Sequence, residues 1–239
     1  MRFILGITAA LLATITVALG VTSGSQGAVP SPSLDEGQLA AALLTVDDLP
    51  AGFKLVDTDT SISNPYLPGC QASRKVPKPV QSALADFERP NGMTDYEPGI
   101  DLYASPAVAA KAMTTMRAAL RTCHHTKAGR ATMTLGVGKA PAYGGAAFSM
   151  TISIREKVSG MTVAFRGTAY YAQIGDAVIG VSWSGMKIGS AKVKAPAARP
   201  AELEKLKQLE AAQVAKWQAA LAGTTSPSPS PSPSSSPAP

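Results

Sequence analysis

Cysteine is almost absent: Cys70 and Cys123 are the whole thiol content of 239 residues. Histidine is equally scarce, and both copies are adjacent, His124 and His125. A structural zinc site needs about four close ligands drawn from such residues, so none is expected here. Neighbouring histidines point in different directions on a helix or strand, and no Asp or Glu lies within twenty residues on either side of the pair. A chain linker at a helix end, where imidazole favours the negative end of the helix dipole, accounts for them better. Neither a metal nor a cofactor is expected.

The nucleophile and phosphate motifs are missing as well. No serine sits in a Gly-x-Ser-x-Gly turn, and Gly180-Val181-Ser182-Trp183-Ser184 fails at its last position. Gly136-Val137-Gly138-Lys139 lacks the spacing of a phosphate loop. Basic residues are scattered rather than clustered, which argues against nucleic acid as a partner. No residue stands out as catalytic.

What is present begins with the ends. Met1-Arg2, an apolar run from Phe3 to Val21, and small residues through Ala28 are the three parts of a secretory leader, residues 1–28. An uncleaved anchor is the alternative, since the run is about as long as the shortest bilayer-spanning stretch, and only then is the chain expected at a membrane. Cysteine is lacking before residue 70, so no lipid-anchored N-terminus is expected. Residues 224–239 contain only Ser, Pro, Thr and Ala, a composition that favours an extended, disordered tail. Residues 29–223 remain, enough for a single domain.

In an exported chain, a lone pair of cysteines reads as one disulfide, Cys70–Cys123, with two free buried thiols as the alternative. Charge divides the domain. Residues 29–105 carry 5 basic and 11 acidic residues, a net of −6, and residues 106–199 carry 13 basic and 2 acidic, a net of +11. The halves can simply offset each other, or the basic half can meet an anionic partner.

Ser33 to Glu36 reads as a capping box opening a helix to about Leu44, stopped before Pro50. A short strand follows near Phe53 to Thr58. The prolines of residues 60–99 predict a loop-rich region with one short helix near Val80 to Phe87. A strand at Ile100 to Ala104 leads into Ser105-Pro106, a cap with proline at the first helical position. The helix carries an apolar stripe at Ala109, Ala112, Met113, Met116, Ala119, Leu120 and Cys123. Lys111, Arg117 and Arg121 lie off that stripe, and they are the candidate anionic-partner site. Strict alternation from Phe148 and from Met161, with weaker strands at Thr132 to Val137 and Ala177 to Trp183, predicts an antiparallel meander. A final helix spans Pro200 to about Ala222. The expected fold is α+β: a four- to five-stranded antiparallel meander sheet, helices packed on one face, and one disulfide.

Other polar groups carry less. Asp57 and Asp59 share one side of a short strand and read as a solvated edge. Tyr103 and Tyr171 read as half-buried sheet residues.

The string Leu43-Leu44-Thr45-Val46-Asp47-Asp48-Leu49-Pro50-Ala51-Gly52-Phe53 resembles the opening of secreted and lipid-anchored sensor-type domains of actinobacteria. Its layout is similar to the extracellular sensor domain of PknH-type receptor kinases. In both, the opening precedes a loop-rich Cys-bearing stretch, a strand, a Ser-Pro-initiated helix ending near a cysteine, a meander and a final helix. This chain departs from that pattern in having one possible disulfide where the kinase domain has two, and in carrying no kinase domain and no lipobox cysteine. The resemblance implies ligand sensing or envelope binding, with no catalytic set. The expected function is therefore that of an exported, non-enzymatic ligand-binding or sensing domain of the cell envelope, its partner an unknown ligand or anionic envelope component. A small secreted hydrolase and a structural wall-associated protein are the alternatives.

Overall fold

A computed structural model describes residues 34–224, except 91, 92 and 191. The expected leader and the tail beyond Thr224 lie outside the described residues.

The chain folds in the order α1 (Glu36–Ala41), β1 (Lys54–Asp59), β2 (Gln81–Glu88), β3 (Thr94–Leu102), α2 (Pro106–Thr122), β4 (His125–Ala128), β5 (Ala131–Gly138), β6 (Ala147–Val158), β7 (Met161–Ile174), β8 (Ala177–Gly189) and α3 (Pro200–Thr224). All eight strands join one antiparallel sheet in the order β1-β2-β3-β8-β7-β6-β5-β4. The sheet thus has twice the four strands of the expected meander. The crossover from β3 through α2 places β4 at the far edge, and β8 then returns to pair with β3.

Several sequence expectations change accordingly. Val80 to Phe87 is not a helix: Ala83, Ala85 and Phe87 are buried in β2 and alternate with more accessible Leu84 and Asp86, a period of two. The strand expected at Ile100 starts earlier, at Thr94. The first helix is capped by Asp35 rather than Ser33: the Asp35 carboxylate accepts from the Gln38 amide, and the Gln38 side chain accepts from Asp35 N–H. His125 lies in β4 rather than in a linker.

The helices divide between the two faces of the sheet, which corrects the expectation of one helical face. On β8, Ala177, Ile179, Val181 and Trp183 join Leu39 of α1 and Leu206, Leu209, Val214 and Trp217 of α3 in one core. On the opposite face of the sheet, Val178 of β8 joins Ala109, Ala112, Met113 and Leu120 of α2 with Met133, Leu135 and Phe148. Alternation along a strand sends neighbours to opposite faces, so both cores share one sheet. Ser105 caps α2 by accepting from Val108 N–H, with Pro106 at the first turn, as the sequence signals. Cys70 is bonded to Cys123 at the end of α2, as expected, which ties the β1–β2 connection to the helix.

Candidate functional site

α2 packs over β5, β6, β7 and β8, while α1 and α3 lie on the other face. The α2 side of β1, β2 and β3 is therefore left without a helix of its own. The register defines what stands there. Asp57 of β1 pairs with Asp86 of β2; in the same unbroken β2–β3 register Asp86 stands beside Glu97, and Glu97 pairs with Ser182 of β8. One row along, Glu88 pairs with Asp95, and Asp95 with Ser184. The cation in these rows is Lys54, at the edge opposite Glu88.

Residues paired across an antiparallel sheet have Cβ atoms about 4.5–5.5 Å apart, so these carboxylates crowd one another. Serine hydroxyls relieve part of the repulsion: Ser182 donates to Glu97 at 3.2 Å and Ser184 to Asp95 at 3.0 Å. Oδ1 of Asp86 and Oδ1 of Asp95 are buried with no hydrogen-bond partner. Burial, reinforced by Asp95, Glu88 and Asp57, pushes the Asp86 carboxyl up to about 6. Burial and the charge of Asp86 push Glu97 up to about 7, against the opposing pull of Ser182. Lower on the same face, Asp101 accepts from Ser82 and Ser63, both at 2.7 Å, and the connection after β1 closes over it. Asp101 is thus a satisfied structural carboxylate. Among the described residues, no group of three or more Asp, Glu, His or Cys is arranged to hold a metal ion.

This acidic half-face was hidden from sequence reading by one element. Asp86 and Glu88 share a side only on a strand, and the prolines around residues 77–90 suggested a loop and helix instead. The signal was nonetheless there, in the alternation of Ala83, Ala85 and Phe87.

Lys111, Arg117 and Arg121 are exposed on the outer side of α2, away from its buried Ala109, Ala112, Met113 and Leu120. The helix residues exposed with them are small: Pro106, Ala107, Thr114, Ala118 and Thr122. Among the described residues, neither His124 nor His125 hydrogen-bonds a carboxylate. The Nδ1 of His124 meets the Leu135 carbonyl, and the Nδ1 of His125 meets the Thr134 hydroxyl. Asp57 and Asp59, taken as an edge pair, are separated from Leu55 by a bulge in β1. An apolar cleft of about 240 Å³ lies on the other face, between Leu43, Leu44 and Val46 and the β1–β2 surface at Leu55, Ala85 and Phe87. Among the described residues no helix is long and apolar enough to cross a membrane.

No protein-family model matches the chain, and no curated protein matches it. Among solved structures it is similar to the extracellular domain of PknH from Mycobacterium tuberculosis, at 13% identity and a TM-score of 0.54, over 79% of this chain and 99% of that one. Identity that low shows a distant likeness of fold.

Proposed function

We propose that the chain is an exported, non-enzymatic binding or sensing domain that works outside the cytoplasmic membrane, with the outer face of α2 as its docking site for an anionic envelope component. The observation that carries this is the isolation of Lys111, Arg117 and Arg121 on an outer helix face that bears no acidic residue from Pro106 to Thr122. The disulfide at the foot of α2 fits an oxidising compartment. The similar solved structure is itself an extracellular domain, of PknH. A cationic face attracts polyanions over roughly a Debye length, about 8–10 Å at physiological salt.

Cosedimentation with anionic lipid vesicles and with teichoic-type polymer tests the docking. Binding should be present at low salt, weaken steeply toward physiological salt, and fall in the triple variant Lys111→Glu, Arg117→Glu, Arg121→Glu. Binding that is absent at low salt, or unchanged in the variant, removes α2 as the site.

A further inference from the structure

The acidic half-face and the cationic outer side of α2 lie on the same side of the sheet, one recessed and one raised. We propose that two copies of this chain pair face to face across a two-fold axis, each α2 seating its outer side in the uncovered acidic half-face of the other.

The dimensions agree. Strands in a sheet are about 4.8 Å apart, so β1 to β3 span about 10 Å between outer strands, which is roughly the diameter of a helix with its side chains. Lys111 to Arg121 span about 15 Å along α2, and the acidic part of the floor, from Thr94 to Pro98 and short of the covered Asp101, is about 16 Å long. A two-fold axis parallel to the sheet, running along the strands between α2 and the open strands, brings both contacts together at once. Such an isologous pairing closes on itself and leaves no end to propagate.

Charge agrees as well. Asp57, Asp86, Glu88, Asp95 and Glu97 form the floor, and Lys111, Arg117 and Arg121 form the ridge that enters it. Asp57 is exposed and Asp86, Glu88, Asp95 and Glu97 are partly exposed, so the floor presents negative charge to the incoming ridge. The contact is one of opposite charges, so the association should be reversible and salt-sensitive. The groups facing Asp86 and Glu97 are Asp57, Glu88 and Asp95, with the Tyr171 phenol of β7 near Glu97, and both carboxyls are pushed up, to about 6 and about 7. Acidification to about pH 5 should therefore discharge these two carboxylates and weaken the pair. The pairing uses the α2 cations but does not rest on their binding any envelope polymer, and each can fail without the other.

Sedimentation equilibrium of the full chain tests the pairing. Dimer should form at low salt and pH 7.5, with its dissociation constant rising about tenfold or more on moving to about 0.5 M salt. Two charge-reversed variants make the test specific: the floor variant Asp57→Lys, Asp86→Lys, Glu88→Lys, and the ridge variant Lys111→Glu, Arg117→Glu, Arg121→Glu. Each alone should be monomeric, and their mixture should restore a one-to-one heterodimer, since both contacts are then complementary. If the floor variant does not fold, the milder Asp86→Asn, Glu97→Gln variant should fold and lose dimer. A chain monomeric at low salt overturns the proposal. So does a dimer that survives 0.5 M salt, or one that persists in both reversed variants.

Discussion

Gln213 of α3 grips the turn after α1 from 169 residues away, its Oε1 accepting from Leu44 N–H at 2.8 Å. Its Nε2 donates to the Ala42 carbonyl at 2.7 Å, so one fully buried amide satisfies both a donor and an acceptor of the chain. Lys216, one turn of helix away, adds an ion pair to Asp48 at 2.6 Å and a contact with the Leu43 carbonyl. This is what the Leu43–Phe53 string encodes structurally: a turn bolted to the last helix.

Gln213→Ala should therefore destabilise the domain by about 2–4 kcal/mol, because it leaves a buried N–H and a buried carbonyl without partners. For a domain of this size that is a fall of roughly 5–15 °C in melting temperature, read by circular dichroism. A variant melting within a degree of the parent would show that water takes over both bonds.

Stability should rise as pH falls from about 8 toward 5. Asp86 and Glu97 have folded-state pKa values of about 6 and 7, above their ordinary values of 3.8 and 4.5. Glu210, fully buried on α3, is pushed by burial up to about 7, against the opposing pull of the Tyr143 hydroxyl. A raised carboxyl binds its proton more tightly when folded, so its stabilisation is complete below about pH 4 and is lost as pH rises through about 6–7. Thermal melts across that range should show the gain, and Asp86→Asn, Glu97→Gln, Glu210→Gln should flatten it. A profile rising with pH would contradict the assignment.

Reducing Cys70–Cys123 should lower the melting temperature markedly. The bond closes a loop of 53 residues, which the chain-entropy model values at about 4 kcal/mol. Melts with and without reductant, with thiol mass-labelling to confirm opening, measure the effect. A change of only a degree or two would mean that the connection between β1 and β2 holds without it.

Truncation after Thr224 should leave the melting temperature within about a degree or two, because residues beyond it offer no apolar side chain larger than proline to any core. A larger fall would mean that the tail docks on the domain.

The local signals that proved accurate were those with a physical mechanism confined to a few residues. Ser105-Pro106 starts α2 where a cap and a preset φ place it. The alternation at Phe148 to Ile154 forms β6, and the lone cysteine pair joins. The failures fell at the cap of α1, which is Asp35 rather than Ser33, and at β2 and β4. β2 lies among prolines whose local message is loop, and burial of Ala83, Ala85 and Phe87 against α1 and Tyr96 overrides it. β4 is four residues long, and its pairing with β5 makes it a strand.

The same division holds for the candidate surfaces. Lys111, Arg117 and Arg121 are legible because helix periodicity alone puts them opposite the apolar stripe. The acidic half-face is not, because its five carboxylates come from three strands whose register is set by long-range pairing. By itself the sequence determined the helix boundaries at Ser105 and Pro200, the period-two strands, the disulfide partners and the split of charge between acidic front and basic back. The tertiary structure alone decided that β8 pairs with β3, that the helices take opposite faces, and that the charge split becomes a ridge beside a recess. A one-residue shift of strand register moves every side chain to the other face, and the pairing that fixes register spans 89 residues, from Asp95 to Ser184, beyond the reach of any local pattern.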